Sequence, residues 1–181
     1  MRSAHDFVVV AGFGRYIFGA SASIGVQQLL RPSLEEDPAL PRNVYSEINL
    51  HITWHTKESL RVLVDQIENR AHHYLRHRML QTPEVIVHEV GGVEDHVHIA
   101  VSVPSSLLVS EWIGELKGAS AHYINSEIAN RKLLAWQAGY GVVSFGTKDL
   151  PWVVAYVRNQ KEHHARGTTH ERLERIDRFN G

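Results

Sequence analysis

His96-Val97-His98 sets two imidazoles on one face of an alternating segment, with Ala100 and Ser102 on the same side and Val97, Ile99, Val101 and Val103 on the other. Successive side chains of a strand point to opposite faces, so the two rings stand side by side on its polar face. Aliphatic packing does not account for them there, and neutral imidazoles suit a divalent transition ion. Downstream, Tyr156-Val157-Arg158-Asn159-Gln160 falls in a stretch read as helix, where i, i+4 spacing puts the phenol and the amide on one face. An amide oxygen from Gln160 as third ligand leaves coordination positions open for water or phosphate, which suits catalysis rather than scaffolding. A phenol with a pKa near ~10 is a poor nucleophile at neutral pH unless a charge such as a metal ion lies close by. Metal and tyrosine together point to phosphoryl transfer through a covalent phosphotyrosine. That intermediate retains the energy of the broken phosphodiester, so rejoining needs no ATP, and the chain has no Walker-type glycine loop. A metallohydrolase that uses His96 and His98 with Asp95 or Glu94 competes for the same residues, but it leaves Tyr156 and Gln160 without a role.

The elements that must hold these groups follow from periodicity. Asn43 to Trp54 alternates, with Ile48, Leu50, Ile52 and Trp54 on one face and Asn49, His51, Thr53 and His55 on the other, which predicts a half-buried strand. Between Glu58 and His77 the apolar residues Leu60, Leu63, Val64, Ile67, Ala71, Tyr74 and Leu75 recur at helical spacing. Val85 to Val90 and His96 to Val103 are expected as strands joined by Gly91 to Asp95, a connection of hairpin length. Ser105 and Ser106 are cap candidates for a second helix that runs to about Asn130. A short strand from Val142 to Phe145 precedes a third helix, whose first turn accommodates Pro151. In that helix Leu150, Val153, Val154 and Val157 make an anchoring stripe, while Trp152, Tyr156, Asn159, Gln160 and His163 make a second stripe free to face a site. Strand, helix, strand, strand, helix, strand, helix predicts an α+β fold with an antiparallel-rich sheet under helices.

A chain of 181 residues suits one compact domain with a tail. Without cysteine there are neither disulfides nor thiolate metal sites, which fits a reducing compartment, and a cytoplasmic location is expected. Nineteen Lys and Arg against 20 Asp and Glu give a net charge of -1, which counts against a broad surface that coats nucleic acid without specificity. Residues 1–42 read as an extension and linker, with disorder as one expectation; their apolar part is broken by Arg15 and four glycines, so no membrane span is expected. Residues 43–165 form the expected functional domain. The charged segment 166–181 includes a short amphipathic helix candidate, Glu171 to Ile176, read as a surface helix or frayed end with no assigned role.

From about Tyr45 to His164 the sequence resembles the single-tyrosine HUH transposases of small insertion sequences that move as single-stranded DNA, together with their repeat-associated relatives. The matching stretches are Trp54-His55-Thr56-Lys57, the Gly-Gly-Val-Glu-Asp-His-Val-His-Ile segment, Glu-Leu-Lys-Gly-Ala-Ser at 115 to 120, the Trp-Gln-Ala-Gly-Tyr-Gly loop and Tyr-Val-Arg-Asn-Gln. This resemblance implies a ferredoxin-like HUH nuclease architecture. It also implies that His96, His98 and Gln160 hold Mg²⁺ or Mn²⁺, and that Tyr156 attacks a phosphodiester of single-stranded DNA to leave a 5′-phosphotyrosine and a free 3′-OH. Its partners would be hairpin-bearing DNA and a second subunit, with sites shared across the dimer. Lys117, Arg131, Lys132, Lys148, Arg158 and Lys161 are the candidate phosphate contacts, and Gly139 with Gly141 suits a hinge before the tyrosine helix. A domesticated nuclease of dispersed repeats and a catalytically silent hairpin-binding protein are the alternatives.

Overall fold

The computed structural model describes residues 45–176, so the expectations for residues 1–44 and 177–181 lie outside it. Strands β1 (Ile48–His55), β2 (Ile86–Val93), β3 (His96–Val103) and β4 (Gly141–Phe145) form one antiparallel sheet in the order β2-β3-β1-β4. Helices α1 (Asp65–Met79) and α2 (Val109–Tyr123) lie with one face of the sheet. There Leu50, Ile52 and Trp54 of β1 and Val97, Ile99, Val101 and Val103 of β3 meet Ala71, Leu75, Met79, Trp112, Ile113 and Leu116 in the main core. Fully burying an aliphatic side chain of this size contributes ~1.5–3 kcal/mol, so this face supplies much of the driving force for folding. The chain thus has the α+β fold with the strand and helix order expected from its periodicity.

The other sheet face is not open to solvent. Helices α3 (Leu150–Arg158), α4 (Gln160–Arg166) and α5 (Glu171–Glu174) cover it, with Val153 and Val157 packed on Ala100. Strand β1 is therefore buried on both faces, and Asn49, His51 and Thr53 are as inaccessible as its aliphatic residues. The alternating pattern hides this second burial because the residues turned toward α3 to α5 are polar and bond one another. Ser102 Oγ donates to Asn49 Oδ1 at 2.6 Å, Asn49 Nδ2 donates to Thr147 at 2.8 Å, and His51 Nε2 lies 2.9 Å from His98 Nδ1.

Three element boundaries differ from expectation. The first helix begins at Asp65, not near Glu58. Residues 57 to 64 instead make a short local turn at Lys57–Ser59, while Lys57 N–H bonds to Ala135 O at 2.7 Å and Leu63 N–H to Glu94 O at 2.8 Å, and Glu58 and Ser59 take left-handed φ angles. Tertiary hydrogen bonds replace the helical ladder there. Gly91 and Gly92 belong to β2, and only Glu94 and Asp95 turn the hairpin. A Cβ on Gly91 would stand 2.1 Å from the Val157 carbonyl oxygen, so glycine allows α3 to lie directly on the strand. Finally, α2 starts without a side-chain cap from Ser105 or Ser106 and passes at Ile124 into a π-helical turn, Ile124–Ile128.

Candidate active site

His96 and His98 project from the start of β3 toward α3 and α5, and both are buried. Each ring is gripped from behind. His96 Nδ1 donates to Asp95 Oδ1 at 2.6 Å, which directs its Nε2 inward. His98 Nδ1 pairs with His51 Nε2, and donation from His98 leaves its own Nε2 lone pair free on the site side. Such outer partners fix the tautomer and orientation of metal-ligating imidazoles. His51 sits under the sheet's second face, where burial, with His98 beside it, drives its pKa down to about 3 and keeps it neutral. Burial likewise lowers the pKa values of His96 and His98, so both rings favour the neutral form that a metal requires.

Tyr156 and Gln160 do not share one continuous helix. Asn159, at φ -100° and ψ 24°, separates α3 from α4, so Tyr156 lies in the last turn of the one and Gln160 begins the other. Both are buried nonetheless, and the Gln160 amide donates to the Tyr156 carbonyl at 3.4 Å across the break. The Tyr156 ring stands edge-on to His98 with centroids 6.2 Å apart. Its hydroxyl accepts from the His170 backbone N–H at 2.9 Å and donates to Glu174 Oε1. Burial and the Glu174 carboxylate push the phenol up to about 12, against the pull of the His170 N–H and Gln160. At rest the tyrosine holds its proton.

Helix α5 adds the group for which the sequence offered no role. Glu174 Oε2 lies 3.4 Å from His98 Nε2, 3.6 Å from His96 Nε2 and 3.7 Å from His164 Nε2. Burial opposes ionisation of Glu174, but His98, Tyr156 and His96 outweigh it and hold the carboxyl well below its usual range. His51 and His164 join Glu174 as site residues that the motifs did not single out. An alternating face at His51 and a charged amphipathic tail were the only signals for two of them, and neither specifies a partner.

The donor set fits a divalent ion. Buried and without hydrogen-bond partners are His96 Nε2, His98 Nε2 and Gln160 Oε1, three good ligand atoms each left unsatisfied. Buried polar atoms are rarely orphaned unless something else occupies the space they face. Asp95, the hydrolase candidate, is spent behind His96, and Glu94 lies outside in a 3.8 Å pair with Arg61. Within this one chain the Tyr156 ring lies beside His98, and Glu174 bridges the phenol and the histidine pair.

Residues 44–160 match the family model described as IS200-like transposase. The chain belongs to the IS200-like transposases. No curated protein matches it. Among solved structures, a protein from Deinococcus radiodurans R1 assigned to the transposases has a similar fold, with a TM-score of 0.53 and 22% identity over 66% of this chain and 95% of that one. A REP-associated tyrosine transposase bound to a REP hairpin also matches, with a TM-score of 0.51 and 17% identity over 71% of this chain and 74% of that one. At these identities the likeness is one of fold, and it agrees with the HUH-type α+β architecture expected for an IS200-like transposase.

The expected phosphate contacts of this transposase divide in two. Arg131, Lys132, Lys148, Arg158 and Lys161 are exposed, the last two in surface ion pairs. Lys117, by contrast, is a buried residue of α2 and donates from Nζ to the carbonyls of Ala138 and Gly139, both at 3.0 Å, so its charge is committed to the 136–141 loop. Arg158 pairs with Glu89 at 2.8 Å and Lys161 with Glu68 at 2.6 Å. Gly141 is no hinge but the first residue of β4, where a Cβ would meet Arg175 O at 2.4 Å. Among the described residues no helix is long and apolar enough to cross a membrane.

Proposed function

We propose that this transposase cleaves and rejoins single-stranded DNA with Tyr156 as nucleophile and a divalent metal held by His96, His98 and Gln160. One observation supports the reading: His96 Nε2, His98 Nε2 and Gln160 Oε1 are buried and unpaired, with the His98 ring edge-on to Tyr156, in a chain that matches the transposase family. A bound Mg²⁺ or Mn²⁺ would supply positive charge beside the phenol and the phosphoryl oxygens, which eases both phenol deprotonation and charge build-up on phosphorus.

The chain's own residues do the rest. Asp95 and His51 orient the two imidazoles, and the His170 N–H fixes the hydroxyl. For attack the hydroxyl gives up its hydrogen bond to Glu174 Oε1 and its proton passes to water. The phenolic oxygen then bonds to phosphorus as the P–O3′ bond breaks, and the 3′ oxygen takes a proton from solvent. The product is a 5′-phosphotyrosine that a later 3′-OH can reverse. Trp152 is half exposed and stacked on Tyr156 with ring centroids 5.7 Å apart, which gives a base next to the scissile phosphate an aromatic surface. Arg131, Lys132, Lys148, Arg158 and Lys161 are the exposed candidates for phosphate contacts. Hairpin recognition, a homodimer and a cytoplasmic location complete the reading.

The test is a denaturing gel of protein with a pool of hairpin-bearing single-stranded oligonucleotides and Mn²⁺ or Mg²⁺, wild type beside Tyr156→Phe. A metal-dependent adduct that disappears in the variant while hairpin binding persists is the expected result. An adduct in the Tyr156→Phe lane removes this residue from the chemistry. Binding without any adduct in wild type favours a silent hairpin-binding protein.

A further inference from the structure

We propose that Glu174 is itself a metal donor, a carboxylate that the C-terminal segment delivers to the histidine pair, an inference that rests on the metal-dependent reading above. The distances make the case. Oε2 stands 3.4 to 3.7 Å from three imidazole nitrogens at once, beyond the 2.7 to 3.2 Å range of good N–H···O bonds, and the Nε2 atoms of His96 and His98 make no hydrogen bond. Ligands held ~2.1 Å from a common ion lie ~3.0–3.5 Å from one another in octahedral or tetrahedral geometry. Glu174 Oε2 therefore stands from His98 as a co-ligand would and only slightly farther from His96, at ion-pair rather than hydrogen-bond distance. The four donor atoms of His96, His98, His164 and Glu174 all fall within 4.8 Å of one another.

The segment that carries Glu174 is fastened in place. Leu173 is buried, the His170 N–H bonds the Tyr156 hydroxyl at 2.9 Å, and the backbone at Arg175 lies so close to β4 that only a glycine fits at position 141. The carboxylate also suits the ion chemically. His96, His98 and Gln160 are neutral donors and offer no charge to a hard cation such as Mg²⁺ or Mn²⁺, whereas a carboxylate oxygen supplies both the hard atom and the negative charge. Its second oxygen accepts the Tyr156 hydroxyl, so one side chain spans the metal position and the nucleophile. A phosphodiester that is to reach both must displace Glu174 Oε1 from the phenol.

The experiment is Mn²⁺ titration of the full-length protein without DNA, read by the EPR signal of free Mn²⁺, for wild type, Glu174→Gln and His96→Ala. Wild type is expected to bind one ion, Glu174→Gln to bind it at least ~10-fold more weakly, and His96→Ala to lose it. Wild-type affinity in Glu174→Gln overturns the donor assignment while leaving the histidine site standing. No binding in wild type instead removes the metal reading, and this inference with it. A second measurement needs no variant: substoichiometric Mn²⁺ should broaden the side-chain carboxylate ¹³C signal of Glu174 beyond detection and spare that of exposed Glu115. A sharp Glu174 signal under bound Mn²⁺ overturns the proposal even if the substitution disturbs folding.

Discussion

At the scale of single residues, the site depends on what stands behind its ligands. Neither Asp95 nor His51 faces the space between His96 and His98, yet each takes the ring nitrogen that would otherwise choose the wrong tautomer. Asp95→Asn keeps the shape of the side chain and loses the charge that orients His96. Metal affinity is expected to fall ~10- to 100-fold, with the helical content unchanged, in a calorimetric Mn²⁺ titration. An unchanged affinity would mean that the His96 ring is held by its neighbours alone, such as the His55 ring stacked 4.6 Å away. His96, His98, Tyr156 and Gln160 could be picked out in the sequence because their types and spacing are unusual together. Glu174 and His164 could not, since a glutamate in a charged tail and one of 13 histidines carry no spacing signal of their own.

At the scale of elements, Tyr156 is placed by the fit of α3 onto β2 and β3. Pro151 opens that helix, Val153 and Val157 bury its apolar stripe, and Gly91 lets the backbone at Val157 come within contact of the strand. Tyr156 is the residue before Val157, so a shift in the helix is a shift of the proposed nucleophile. Gly91→Ala should destabilise the fold by ~1–3 kcal/mol through overpacking, seen as a lower Tm. It should also slow adduct formation more than hairpin binding. A variant with wild-type Tm and full adduct yield would show that the helix does not need this approach. The helical period revealed both stripes of α3, but it could not reveal the break at Asn159, because the residues on either side continue the same periodicity.

At the scale of the whole molecule, a sheet covered on both faces encloses histidines that must stay neutral. His51 takes up a proton near pH ~6.5 when unfolded but only near about 3 when folded, so between these values the unfolded chain binds the extra proton. The stability due to neutral His51 is complete above the unfolded pKa and declines as pH falls through that window. Burial also lowers the pKa of His72, which adds to the same trend. The Tm of the metal-free protein should therefore drop from pH 7 to pH 5, with a shallower slope in His51→Gln; a flat wild-type profile would contradict the buried neutral state. The sequence by itself determined the α+β order of elements, the main apolar face and the His-Val-His and Tyr-x-x-x-Gln groups, because each is written in local spacing that the backbone period converts directly into a face. Only the tertiary structure decided that the polar face of β1 is buried, that Lys117 secures a loop, and that Glu174 reaches the histidines. Those outcomes depend on which segments, far apart in the chain, come to lie against each other, and no local period records it.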